Sequence, residues 1–298
     1  MNDFWPDGTL FLDASFAPSG AMCLVSTDEE HARTKVPATR VDLEVNGQWR
    51  RGPDANWDVV SAVRCTAPIA QHAIVGVYGD VRFIGSGDVH DELIRDGAHS
   101  PESDGLLRDA RVIGGLVHAC GMNRQVYRRV ERDRWTSLFQ VPDERREVAG
   151  FEAIDGYGAD EIYAAGWNGE IWEFDGRRWH ARETGTNLTV VDVCCAGDGT
   201  VYALCHGRTL LAGRHDQWRI VPLDLPVDLW SLAWYGEALH ACSMRDPFVF
   251  REGGFVPMPA APERPETLQT LRVSPHGLVT IGPRHVCRYD GNAWTRLA

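Results

Sequence analysis

The chain is 298 residues long, with 44% apolar residues and a formal charge of −12. That apolar share is ordinary for a globular protein with a buried core. The acidic balance excludes a protein that tracks nucleic-acid phosphates, which needs a net basic surface. The absence of any apolar run of about 18 residues leaves no candidate for a membrane-spanning helix.

The basic residues are 29 arginines and one lysine, Lys35, a bias that points to a GC-rich bacterial genome. Residues 1–104 hold 17 acids and 8 bases, whereas residues 105–298 hold 25 and 22. An acidic sector of that kind steers basic partners, although a solubilising surface is the plainer reading. The segment Met1–Asp7 has neither the basic start nor the apolar stretch of a secretory signal. The eight cysteines show no CxxC spacing and mostly sit in apolar, β-branched runs. They read as buried free thiols in a reducing compartment, not as a disulfide framework or zinc site. The expectation is a cytoplasmic protein without a metal or other cofactor.

Taken in chain order, the sequence divides into seven units at about 8–54, 57–101, 106–143, 147–185, 188–224, 227–262 and 266–298. The first closes on Asn46-Gly47-Gln48-Trp49, a tight turn followed by an aromatic residue. It also holds a long connection, Ser26–Arg40, with the acidic cluster Asp28, Glu29 and Glu30. Loops of that length are functional or mobile. The second unit lacks the aromatic marker, and its segment Asp88–Arg95 reads equally as a strand or a helical turn. The third closes on Arg132-Asp133-Arg134-Trp135.

The fourth unit is the clearest. Short apolar runs at Val148–Ile154, Ile162–Trp167 and Glu170–Phe174 lead through Asp175-Gly176 into Arg178–Arg182. Such runs between Asp-Gly turns are the hairpin signature. The fifth repeats it at Leu188–Cys195, Thr200–His206, Thr209–Gly213 and Gln217–Pro222. The sixth and seventh carry Gly253-Gly254-Phe255 and Asp290-Gly291-Asn292-Ala293-Trp294. From Trp135 onward the aromatic markers are spaced 44, 39, 37 and 39 residues apart, and the gap of 86 from Trp49 is two periods. Four strands in about 40 residues is the period of a propeller blade. The predicted fold is therefore all-β, a seven-bladed β-propeller with four antiparallel strands per blade, forming a single domain over residues 1–298. The recurring tryptophans read as packing between neighbouring sheets.

The segment Gly169-Glu170-Ile171-Trp172-Glu173-Phe174-Asp175-Gly176-Arg177-Arg178-Trp179 resembles the blade motif of bacterial β-propeller repeat proteins. The blades are also similar to degenerate Asp-box or kelch-like repeats, without the full Asp-box order in any unit. The resemblance implies a fold, since propellers host many functions. Some proteins of this kind act as immunity partners of secreted bacterial toxins, which implies a protein partner, a toxin domain. The acidic charge and the lack of a long apolar run add the expectation of no nucleic-acid or membrane partner.

Aligning the units at the end of the second strand puts Tyr78, Met122, Trp167, His206, Met244 and Arg284 in one ring. The next position holds Asn123, Asn168 and Arg245 among others. Structural positions repeat between blades, and these do not. Large aromatic, Met and Arg side chains on turns are the types enriched at interface cores, while the alternative is that they plug the channel mouth. Together with Asp28, Glu29 and Glu30 they form the expected partner-binding surface of a toxin-neutralising protein. No phosphate-binding loop, nucleophile elbow or His-Glu-x-x-His pair occurs, so no catalytic residue is assigned. The competing reading is a lyase or hydrolase acting on a carbohydrate-like or small polar ligand. It would use His118, His206 and His240 with Tyr78 and Arg284 at the channel mouth.

Overall fold

The alternating apolar runs form 28 strands, arranged as seven four-stranded antiparallel sheets among the described residues. The structure, a computed structural model, describes residues 4–139, 149–259 and 265–298. The expected ends of the third and sixth units fall partly on residues outside that set. Each sheet uses four consecutive strands. The first contains β1 (Thr9–Phe16), β2 (Met22–Asp28), β3 (Arg40–Val45) and β4 (Gln48–Arg51). The last contains β25 (Thr270–Ser274), β26 (Gly277–Gly282), β27 (His285–Tyr289) and β28 (Trp294–Arg296).

The first strand of each blade lies next to that of the following blade. These strands are β1, β5 (Val59–Cys65), β9 (Leu107–Ile113), β13 (Phe151–Gly158), β17 (Val190–Cys195), β21 (Ser231–Tyr235) and β25, and β25 returns to β1. The fold is thus a closed seven-bladed propeller. Closure exchanges no strand between the first and last sheets. Phe11 N–H donates to Pro283 O at 3.0 Å, and Arg272 Nη2 donates to Asp13 Oδ2 at 2.8 Å. Phe11, Ala14, Met22 and Leu24 share a core with Val279, Ile281 and Val286.

The marker aromatics all lie on fourth strands: Trp49 on β4, Trp135 on β12 (Arg134–Ser137), Trp179 on β16 (Trp179–Arg182), Trp218 on β20 (Gln217–Pro222), Phe255 on β24 (Gly254–Pro257) and Trp294 on β28. Trp135, Phe255 and Trp294 are buried, each within the core shared by two blades or its own. The turn that presents Trp49 needs left-handed backbone at both central residues, and Asn46 (φ 55°) and Gly47 (φ 77°) supply it. The ambiguous segment of the second blade is a strand, β8 (Asp88–Leu93), paired along β7 (Asp80–Gly85). By register Val89 stands where the other blades carry the aromatic, and it is exposed.

A second periodicity joins the blades. Asp13, Ser61, Asp109, Asp192 and Ser231 occupy matching positions on the inner strands. Each accepts a backbone N–H from the next blade: Ala62, Ala110, Ile154, Leu232 and Leu271, at 2.7–3.2 Å. In the fourth blade the matching residue is Ala153, and Asp155 takes over by accepting from Cys195 N–H at 2.8 Å. Sequence reading missed this ring, although an oxygen-bearing residue followed by an apolar one recurs at 13, 61, 109, 192, 231 and 270. Ser231→Ala leaves the Leu271 N–H without its acceptor and Asp192 without one donor. It is expected to lower unfolding free energy by about 1–2 kcal/mol in urea titrations, and an unchanged midpoint would deny the ring that role.

All eight cysteines are free, and all but Cys195 are buried. The Ser26–Arg40 connection differs from the expected plain loop. Asp28 caps a short helix, α1 (Glu29–Thr34), accepting from His31 N–H at 2.8 Å. Glu29 and Glu30 sit in the first turn, where the helix dipole favours acids, and Lys35 ends it in left-handed conformation.

Candidate functional site

In each blade the turn between the second and third strands and the link to the next blade emerge on the same face, as four antiparallel strands require. Hydrogen bonds tie them together there. His206 N–H donates to Thr189 O, Asn123 N–H to Ala149 O, Trp167 N–H to Gly150 O and Leu268 N–H to Met244 O, at 2.8–3.0 Å. The residues aligned from the sequence therefore stand on one loop face.

Three of them meet in an open apolar depression of about 760 Å³, where Trp167, His206 and Met244 line the wall with Trp230, Val191 and Leu268. Met244 is 66% exposed and Trp230 39% exposed, unusual for apolar side chains this large. Trp230 meets the His206 ring edge-on at 5.8 Å. The Trp167 indole donates to Glu152 Oε1 at 2.5 Å, which holds the ring against the inner strand β13. Trp230, Val191 and Leu268 were not foreseen, because they come from inner strands and inter-blade links and not from the aligned turns. The marker was the large apolar Trp230, exposed next to the buried Leu229 in the link ahead of a strand.

The remaining candidates lie elsewhere on the face. Tyr78 is exposed at the second blade. Met122 packs beneath the fourth blade, bridging to Gly150, and Asn123 donates to Asp104 O at 2.6 Å with φ 56°. Asn168 adopts φ 58° within a single 3-10 turn, and Arg245 is exposed. Arg284 pairs with Glu29, linking the seventh blade to α1. Asp28 is engaged inside the chain by His31 and Arg40 at 2.6 and 2.8 Å, and these partners and the helix cap hold its carboxyl below the usual range.

Below the depression runs the central channel, which shares Glu152, Val191, Trp230 and Gln269 with it. Its wall is polar. Arg111 bridges Asp109 and Asp192 at 3.3 and 3.1 Å, and Arg272 reaches Asp13. Burial raises the Asp109 carboxyl and pushes Asp155 up to about 6. Four carboxylates thus share two guanidiniums here, and the same carboxylates accept the blade-to-blade bonds.

The histidines of the competing enzyme reading do not come together. His118 and His240 sit in second strands of different blades, β10 (Leu116–Gly121) and β22 (Ala238–Cys242). Each places Nδ1 about 3 Å from a carbonyl two residues back, at 3.0 and 3.1 Å. Burial depresses both, His118 to about 4. His206 faces the apolar depression instead, and Arg284 is tied to Glu29. Glu161, Glu173 and His215 cluster with metal-ligand spacing, but Arg214 already clamps Glu161 at 2.7 Å and Arg182 holds Glu173 at 2.8 Å. Among the described residues no helix is long and apolar enough to cross a membrane.

The molecule is thus a seven-bladed β-propeller that gathers large apolar side chains in a depression on its loop face. No protein-family model matches the chain. Two solved structures share the fold. A structure described as YCF48 bound to D1 peptide has TM-score 0.71 and 13% identity, over 96% of this chain and 94% of that one. The WD40 β-propeller domain of Doa1 has TM-score 0.67 and 10% identity, over 94% of each chain. A relative from Pseudomonas aeruginosa, the immune protein Tsi7, is 40% identical over 245 residues, covering 81% of this chain and 80% of its own. The chain belongs to the family of that immune protein.

Proposed function

We propose that this protein neutralises a cognate bacterial toxin by docking it against the loop face of the propeller. The observation that carries the reading is its membership of the Tsi7 family, whose named member is an immune protein. The apolar depression beside Trp167, His206 and Met244 supports the choice of face, since exposed apolar patches of this kind mark interaction surfaces. Tyr78, Met122, Asn123, Asn168, Arg245 and Arg284, with Asp28, Glu29 and Glu30, extend the binding surface around it. The free cysteines support action in a reducing compartment, the cytoplasm.

The test is co-expression with the product of the adjacent gene as the candidate toxin. A stable complex and rescued growth are expected; neither appearing would end the reading. The double change Trp167→Ala, Met244→Ala is expected to weaken the complex about 10- to 100-fold. Its melting temperature should stay near that of the parent, because both side chains border solvent. A large fall in melting temperature with unchanged affinity would make the two residues core.

A further inference from the structure

Resting on that reading, we infer that the toxin enters the depression with a small cluster of aliphatic or aromatic side chains flanked by lysines or arginines. Two independent features of the fifth-to-seventh-blade sector carry this. The first is shape and polarity. The depression is about 760 Å³, walled by Trp230, Val191, Met244 and Leu268. That volume takes a few apolar side chains and exceeds what one needs. Met244 and Trp230 stay solvent-facing at real cost in exposed apolar area, which an apolar insert would remove.

The second feature is charge. The links that deliver Trp230 and Leu268 to the wall also present Asp224, Asp228 and Glu266. All three are exposed, and among the described residues none has an ion-pair or hydrogen-bond partner. Asp228 stands two residues before Trp230, and Glu266 two before Leu268. The same turns and links carry Arg245, an exposed base, and Arg208, which keeps its charge while donating to Leu225 O at 2.8 Å, so three carboxylates stand against two cations. An apolar centre inside an acidic rim selects a basic-rimmed apolar protrusion. The centre sets how long the complex lasts, and the rim sets how fast it forms.

The experiment is surface-plasmon resonance with the purified product of the adjacent gene as the candidate toxin, at low and high salt. Trp230→Ala is expected to weaken binding about 30-fold, mainly through faster dissociation. Met244→Glu, at a more exposed position, tests the same wall with less risk to folding. The triple reversal Asp224→Lys, Asp228→Lys, Glu266→Lys is expected to slow association about 10-fold and to flatten its salt dependence. Parent-like binding by all of these variants overturns the inference while leaving neutralisation standing. No complex with the unmodified protein overturns both.

Discussion

Arg129→Met is expected to lower the free energy of unfolding by about 3–5 kcal/mol, among the largest single-site losses in the molecule. Arg129 on β11 (Val126–Glu131) is 1% exposed. Its guanidinium binds the Glu92 carboxylate of β8 with two bonds, at 2.6 and 3.1 Å. The Trp135 indole adds a third donor to Glu92 at 3.0 Å, and His90 approaches the same carboxylate at 3.1 Å. The guanidinium lies 3.8 Å from the Phe83 ring centre, and His90 stacks on the same ring with centroids 5.2 Å apart. Methionine restores much of the volume but leaves a buried carboxylate without its cation, and that desolvated charge is the source of the loss. The pair Glu92→Leu, Arg129→Met removes both charges and should recover most of it. Urea denaturation distinguishes the cases. A single variant within about 1 kcal/mol of the parent would show that the pair does not hold the second and third blades together.

That ion pair explains why one unit was hard to read. The turn-and-aromatic marker is a packing requirement of fourth strands, so it recurs wherever a blade uses an aromatic to meet its neighbour. The second blade instead buries Glu92, half-buries His90 and leaves Val89 in solvent at the aromatic's position, so its sequence carries no tryptophan there. Strand content and period were legible because they rest on local turn chemistry and apolar alternation. The closure was not, since the contacts of Phe11 with Pro283 and of Asp13 with Arg272 join residues more than two hundred and fifty positions apart. The site was half legible for the same reason. Alignment at a repeated turn brings Trp167, His206 and Met244 to one wall, because equivalent positions in successive blades are neighbours. Trp230, Val191 and Leu268 come from non-equivalent positions, and only the folded ring sets them opposite. Asp28 shows the converse. An acidic run in a long connection reads as partner contact, yet the helix cap, His31 and Arg40 occupy that carboxylate.

Acidification from pH 7.5 to 5.0 is expected to cost about 3 kcal/mol of stability, through two buried histidines. His72 on β6 (Gln71–Gly76) is 6% exposed, with Nδ1 2.8 Å from Ser15 Oγ, and burial together with nearby Arg64 lowers it to about 3. His118 is fully buried and lowered to about 4. In the unfolded chain both return to about 6.5. Between those values the unfolded state binds more protons, so stability rises with pH. It is complete above about pH 6.5 and declines below it, by about 2 kcal/mol per histidine at pH 5. Asp155 works in the opposite direction. Pushed up to about 6 by burial, it takes a proton in the folded state first, and acidification over the same range returns about 1.4 kcal/mol. The histidines win, because there are two of them and each is displaced further from its unfolded value. The variant His72→Gln, His118→Gln should therefore have an inverted profile, more stable at pH 5.0 than at pH 7.5 through Asp155, whatever its absolute stability. Equal or higher stability of the parent at pH 5.0 would mean that the two imidazoles find protons, or water, inside the folded blades.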